Sequence, residues 1–315
     1  MSSFAAVPRK ICNDWTILSR CARMQKICLI VNPISGGKDK KQLVQTILEH
    51  LDHQKYTAEV AWTQRAGHGT ELARSADADI VVAVGGDGTV SEVGQGLTGT
   101  GKALGIIPCG SGDGLALHLG IPRDPVKAVQ ILNTGDISPM DMARVNDRPF
   151  FCTTGVGFDA VVAWNFAQAG HRGLWTYIRE AWKAWWSFQP EHYDLDIDGT
   201  RWSGRAFLIT VGNCNQWGNQ ARITPEASVN DGLLDVSIVS PFRLWEIGGL
   251  VWRLMTGNAY RCRRVTMLRG RTVTIRREKE GPAHFDGDPC TFGKEISIVL
   301  EKAALRVVHP HGKSI

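Results

Sequence analysis

No run of apolar residues in this 315-residue chain approaches the roughly 18–20 that a bilayer-spanning helix needs. The best candidate, Leu244 to Met255, is interrupted by Glu246 and Arg253. The first 25 residues carry basic groups but lack the apolar stretch of a signal peptide. The eight cysteines are scattered, at 12, 21, 28, 109, 152, 214, 262 and 290, and no two form a CxxC pair. That excludes a disulfide framework or a zinc site and predicts reduced thiols in a cytosolic protein. The nine histidines form no ligand cluster. His50 and His53 share a predicted helix face with no acid or cysteine nearby, so they read as surface residues. Neither sign of charge dominates: 36 Lys+Arg against 31 Asp+Glu leave +5. Such a balance permits an anionic partner and selects none. Internal repeats and low-complexity tracts are absent. With 43% hydrophobic and 21% charged residues, a disordered chain or a coiled coil is excluded. The length is about twice that of a common single domain, so two domains are expected.

Periodicity places them. Lys26–Asn32, Thr57–Thr63, Asp79–Val84 and Ala103–Pro108 read as strands, the last two fully apolar and of the buried parallel type. Between and after them, Lys38–Leu51, Thr89–Leu97 and Pro125–Leu132 read as helices. Alternation with short links predicts an α/β domain with a parallel sheet. From about Met140, strand-like runs follow one another: Arg148–Thr153, Tyr193–Ile197, Arg205–Val211, Leu233–Val239, Val265–Leu268, Thr272–Arg276 and Glu295–Leu300. Asp198-Gly199 is a hairpin signal and Arg269-Gly270 a weaker one. This half reads as an antiparallel β-sandwich-like domain with helical stretches near 172–188 and 242–257. The expected divisions are a flexible extension or mis-assigned start over 1–23, an α/β domain over 24–139 plus 304–315, and a β-rich domain over 140–303.

Glycine-rich loops carry the chemistry. Gly85-Gly86-Asp87-Gly88-Thr89 follows a buried strand and precedes a helix, at the strand edge where open α/β sheets bind ligands. Its glycines allow close backbone approach, Thr89 is a natural N-cap, and free N–H groups at the helix start suit phosphate oxygens. Asp87 would repel a bare anion but would suit Mg²⁺ or a ribose hydroxyl. Asn32-Pro33-Ile34-Ser35-Gly36-Gly37-Lys38 ends the first strand without forming a Walker A loop. Pro108-Cys109-Gly110-Ser111-Gly112-Asp113-Gly114 ends the fourth. Three loops on three parallel strands should meet at one edge and bind a nucleotide or another polyphosphate.

NPxSGG after the first strand, GGDGT after the third and GSGDG after the fourth resemble the diacylglycerol kinase catalytic-domain family, over roughly residues 26–310. That family includes bacterial lipid kinases and sphingosine and ceramide kinases. GGDG alone also occurs in NAD kinases and is echoed in phosphofructokinases. The resemblance implies that Asn32, Ser35, Gly36, Thr63, Gly85, Gly86, Gly88, Thr89 and Ser111 contact ATP. At Asp113 relatives commonly carry Asn, so its carboxylate should either meet metal or turn away from the nucleotide. Phe285-Asp286-Gly287-Asp288-Pro289 stands where the family usually has Asp-Gly-Glu, whose Glu is taken as the base for the lipid hydroxyl. The resemblance therefore implies Asp288 as base, with Asp87 and Asp286 organising Mg²⁺. The competing reading is a plain Asp-Gly hairpin turn. Bacterial members hold a structural Mg²⁺ at a DDGLLDV segment, which maps to Asp231 and the carbonyls of Ser228 and Leu233. Here Asn230 replaces the first Asp, and a plain turn before a strand competes.

Two surfaces complete the sequence reading. Trp175, Ile178, Trp182 and Trp185 fall at helical spacing beside Trp186. Such a stripe lines an acyl pocket, sits at a membrane interface or, as is commonest, forms core. Eight Arg/Lys lie between Arg261 and Lys279 against the single acid Glu278, as a solvated face or a patch for anionic lipid. Strand context without interleaved aromatics argues against nucleic acid. The expectation is an ATP- and Mg²⁺-dependent lipid kinase, cytoplasmic or peripheral at the inner face of the membrane. Its acceptor would be a primary lipid hydroxyl, with a homodimer as an option. An NAD kinase-like enzyme and an inactive nucleotide- or lipid-binding regulator are the alternatives.

Overall fold

Fully apolar strands are stable where helices cover both faces of a parallel sheet, and the first half is built that way. The computed structural model describes residues 24–36, 39–169, 174–215, 217 and 221–315; the expected extension over 1–23 lies outside them. The chain runs β1 (Gln25–Val31), α1 (Lys40–His50), β2 (Tyr56–Trp62), α2 (His68–Ser75) and β3 (Ile80–Gly85). It continues through α3 (Asp87–Leu97), β4 (Ala103–Pro108), α4 (Gly114–Leu119) and α5 (Pro125–Thr134). The strands lie in the order β2-β1-β3-β4, all parallel. The loops after β1, β3 and β4 therefore open on one edge. Asp39 caps α1 through the amides of Lys41 and Gln42, and Asp124 caps α5 ahead of Pro125.

The second half comprises β5 (Asp136–Val145), β6 (Arg148–Phe150), β7 (Thr153–Gly157), α6 (Phe158–Gln168) and α7 (Leu174–Ser187). Next come β8 (Glu191–Ile197), β9 (Thr200–Ala206), β10 (Leu208–Gly212), β11 (Leu234–Val239) and α8 (Ile247–Met255). The chain ends with β12 (Val265–Gly270), β13 (Thr272–Arg277), β14 (Gly281–Phe285), β15 (Asp288–Phe292) and β16 (Glu295–His309). An antiparallel sheet runs β12-β11-β10-β7-β14-β15. It packs on the distal part of the first sheet around Val156, Ile209, Val236, Val273, Ile275 and Ile298, which makes the expected sandwich-like arrangement. Strand β16 joins the halves. It pairs antiparallel with β13 and β5, shifts register between Glu301 and Leu305, and ends parallel to β4. The kink falls at Ala303, whose φ is +51°.

Several local expectations are corrected. Gly86, not Thr89, is the N-cap of α3; Thr89 is buried in the first turn. His53 lies beyond the end of α1 and shares no helix face with His50. Asp198-Gly199 does form the β8–β9 hairpin, with φ of 47° and 87°. Arg269-Gly270 does not form one, because β12 and β13 pair in different sheets and the chain crosses between them. The predicted strands Arg148–Thr153 and Arg205–Val211 each break into two, the second at Phe207. The tryptophan stripe is not core: only Trp185 is packed inward, while Trp175, Trp182 and Trp186 are exposed.

Candidate active site

The three glycine loops touch one another. Asn32 donates from Nδ2 to Thr89 Oγ1 at 3.2 Å, and its Oδ1 accepts from the Ile34 amide at 3.1 Å. This ties the first loop to the helix that opens after the second. Ser35 turns its hydroxyl to the Asn32 carbonyl at 3.1 Å. Gly36 has φ +66°, and a methyl there would overlap the carbonyl oxygen of Cys109. Gly86 and Gly110 face each other so closely that a Cβ on Gly86 would sit 3.0 Å from the Gly110 Cα. Thr63 is buried beside β1, its amide donating to the Val31 carbonyl. Gly88 and Ser111 are exposed at the open edge, with nothing within 4 Å of a Cβ on Gly88. The structure thus brings Asn32, Ser35, Gly36, Gly85, Gly86, Thr89 and the 109–113 loop into one cradle.

Carboxylates hold that cradle in shape. Asp87 accepts from the amides of Asp113 and Gly114, at 2.8 and 2.7 Å, and so anchors the start of α4 to the start of α3. Burial raises the Asp87 carboxyl above the ordinary range, against the pull of those amides and with the Asp113 charge adding to the rise. Asp113 accepts from the Gly110 amide and from Arg123 Nε, both at 2.9 Å. Its carboxylate is turned into the loop and away from the open edge. Arg123 also donates to the carbonyls of Ser111 and Gly112. Sequence reasoning missed Arg123: it lies ten residues from Asp113, outside any glycine motif, in the turn before α5.

Across the cleft, Asp286-Gly287 forms the two-residue turn between β14 and β15, with φ of 48° and 86°. The Asp286 carboxylate accepts three amides: Phe151 at 2.9 Å, Cys152 at 2.7 Å and Thr153 at 3.2 Å. Burial outweighs those bonds and pushes its carboxyl up to about 6, and Asp87 adds to the rise, so the two carboxyls lie within electrostatic reach. The clamped segment inserts Phe151 into the first domain's core against Gly94 of α3. Asp286 therefore fixes the hairpin to the helix that begins with Asp87. Asp288, the first residue of β15, is exposed.

A buried pair underlies the hairpin. His284 Nε2 lies 3.0 Å from Asp159 Oδ2, which also accepts from Thr210 at 3.3 Å. Gly155 is needed beside it, because a Cβ there would press on both side chains. Only the alternation Gly155-Val156-Gly157 hinted at this crowding in the sequence.

Asp231 is already engaged. Arg269 forms an ion pair with its Oδ2 and a second with Asp235 at 3.2 Å, while Asp231 Oδ1 accepts from the Leu233 amide. Burial pushes the Asp235 carboxyl up to about 6 despite Arg269. The Ser228 hydroxyl lies 2.7 Å from the Ile315 carbonyl, to which it donates, and 2.9 Å from the Asn230 side-chain amide. A guanidinium on the carboxylate opposes a divalent cation there, so these residues do not fit a resident Mg²⁺. Among the described residues no group of three or more His, Cys, Asp or Glu is placed to hold a metal. A hollow of about 520 Å³ lined by Val44, Leu48, His53 and Trp62 lies on the α1–β2 flank, and none of the glycine-loop residues lines it.

Two family models match the chain: the diacylglycerol kinase catalytic domain over residues 26–145, and the YegS C-terminal NAD kinase beta sandwich-like domain over 152–308. The chain is 26% identical to the diacylglycerol kinase of Bacillus subtilis, over 84% of its own length and 90% of that protein's. It is 32% identical to the "Probable lipid kinase YegS-like" of Chromohalobacter salexigens, over 80% and 84% of the two chains. In fold it is similar to a diacylglycerol kinase structure from Bacillus anthracis, with a TM-score of 0.70 and 19% identity over 91% of this chain and 97% of that one.

Proposed function

This chain belongs to the diacylglycerol kinase family of lipid kinases, and from that premise we propose that it moves the γ-phosphoryl group of ATP onto the primary hydroxyl of a lipid such as diacylglycerol or a sphingoid base. What supports the reading is a cradle of three glycine loops and a hairpin whose Asp286 lies within electrostatic reach of the cradle's Asp87, with Asp288 two residues further on. The cradle's backbone amides suit triphosphate oxygens, and its glycines admit them closely. Asn32, Ser35, Thr63, Thr89 and Ser111 surround the nucleotide, with Gly36, Gly85, Gly86 and Gly88 as floor. Asp87 would meet the Mg²⁺ that accompanies ATP, since each of its oxygens keeps a lone pair beyond its amide bond. That ion would offset phosphate charge.

Asp288 accepts the proton of the lipid hydroxyl as its oxygen attacks the γ-phosphorus; the bond to the bridging oxygen breaks and ADP leaves. The loop amides stabilise the charge on the transferring group. Asp286 we assign to positioning, because its oxygens hold residues 151–153. The expected setting is the cytoplasm, at the surface of a membrane. No described helix is long and apolar enough to cross one.

The test is transfer from labelled ATP with Mg²⁺ to diacylglycerol, monoacylglycerol, sphingosine and ceramide in mixed micelles, with NAD as a soluble acceptor. The NAD arm is included because the second half matches an NAD kinase beta sandwich-like domain. A phosphorylated lipid supports the reading and names the acceptor. Label on NAD alone overturns it in favour of a soluble-substrate kinase. ATP binding with no product on any acceptor overturns it in favour of a regulator.

A further inference from the structure

The chain exposes tryptophan on a scale that packing does not explain. Trp175, Ile178, Trp182 and Trp186 on α7 lie within an arc of about 80° at 100° per residue, and they are exposed by 83%, 47%, 56% and 68%. Trp245 and Trp252, just before and within α8, are exposed by 74% and 70%. Both helices rest on one apolar cluster. Trp185 packs 5.5 Å from Phe242, while Leu250 and Leu254 cover the same core from α8. Their inward faces are therefore satisfied and their outward faces are aromatic.

Charge tells what would cover them. Residues 174–187 and 242–264 hold seven basic groups, Arg179, Lys183, Arg243, Arg253, Arg261, Arg263 and Arg264, against Glu180 and Glu246, so these two segments carry +5, equal to the net charge of the whole chain. Arg179 and Lys183 both pair with Glu180, and Arg264 pairs with Glu246, so the acids are already neutralised. Exposed indoles ringed by cations suit the headgroup layer of an anionic bilayer, where the amphipathic ring is favoured and each basic group adds attraction. A second protein copy of like charge would be repelled.

We infer that α7 and the 242–264 segment form a docking face for an anionic lipid surface, with the indoles entering the headgroup layer. The inference rests on the lipid-kinase reading for its purpose and not for its test. Helix α7 packs on α6, which packs on β7, β14 and β15, so the face lies one helix from the hairpin that carries Asp288. A lipid presented from the bilayer would meet the candidate base without leaving the surface entirely.

The experiment is flotation of the full chain with vesicles of phosphatidylcholine alone or mixed with phosphatidylglycerol, alongside two exposed-residue variants. Wild type should float with the anionic vesicles, with a blue shift of indole emission. Trp182→Ala/Trp186→Ala/Trp252→Ala should lower the bound fraction about tenfold or more, and Arg261→Glu/Arg263→Glu should abolish the preference for phosphatidylglycerol. Unchanged melting curves would show that both variants fold. The inference is overturned if wild type does not float, if the tryptophan variant floats as well as wild type, or if the variant instead dissociates a wild-type dimer. Flotation without phosphorylation of any lipid would keep this face and remove the kinase reading. Phosphorylation of a short-chain soluble lipid, unchanged by a variant whose flotation is also unchanged, would do the reverse.

Discussion

Carboxylates in the glycine loops and in the β14–β15 hairpin look alike in the sequence and differ in what holds them. Asp87 and Asp113 both accept main-chain amides, and Asp113 also takes Arg123, so the loop carboxylates shape the cradle. The hairpin divides its pair. Asp286 is held by three amides, whereas Asp288, two residues on, stands exposed at the strand end. A carboxylate surrounded by amides is a strut; an exposed one at a strand end is open to solvent and to an incoming acceptor. The contrast sorts residues that motif matching alone would group together.

The largest effect should come from breaking that division at its exposed end. Asp288→Asn removes a proton acceptor and should lower kcat by a hundredfold or more. Its melting temperature should stay at the wild-type value, since the side chain is exposed. Equal activity in the variant would place the base elsewhere.

Next comes the strut. Asp286→Ala would orphan the amides of residues 151–153 and should cost about 3 kcal/mol of stability in a denaturant titration. The same carboxyl has a pH signature. It titrates near 6 in the fold and near 4 when unfolded. The fold therefore binds the proton more tightly in that window, and stability through this group falls as pH rises from about 4 to about 6. Asp235, also pushed up to about 6, adds a slope of the same sign. Asp286→Asn should flatten the slope by its share and leave the Asp235 share.

Smaller effects sharpen the cradle side. Gly36→Ala meets both a positive φ and the Cys109 carbonyl, so the first and third loops must separate. We expect the KM for ATP to rise about tenfold with a smaller change in kcat. Arg269→Ala should cost about 1 kcal/mol, discounted because the guanidinium is 38% exposed. Without nucleotide, wild-type melting should ignore millimolar Mg²⁺, while the variant, its Asp231 and Asp235 left facing each other, should gain a Mg²⁺-dependent rise. A Mg²⁺ response in wild type that Asp231→Asn removes would show that the ion displaces Arg269.

Much of this was legible because its chemistry is contiguous. Strand, glycine loop and helix start lie within a dozen residues at Ile80–Ser91, and parallel order alone brings three such loops to one edge. What was not legible depends on long separations. The Asp286 contacts span 133 to 135 residues and the His284–Asp159 pair 125, and no local period records either. Arg269-Gly270 read as a hairpin because turn propensity says where a chain bends and not which sheet receives it. The expected strand Glu295–Leu300 covers only the first part of β16, since the kink at Ala303 breaks the alternation within it. The tryptophans were expected inside on frequency alone, and charge around them was the signal for the outside.

The most direct measurement compares three proteins in one assay: wild type, Asp288→Asn and Asp286→Asn, each read for lipid phosphorylation by ATP and for melting temperature. The account predicts a crossed pattern, with Asp288→Asn folded as wild type but a hundredfold or more slower, and Asp286→Asn melting lower but retaining most of its turnover below its transition. If Asp286→Asn is instead the inactive, fully stable protein and Asp288→Asn turns over normally, the roles are reversed and the account is wrong.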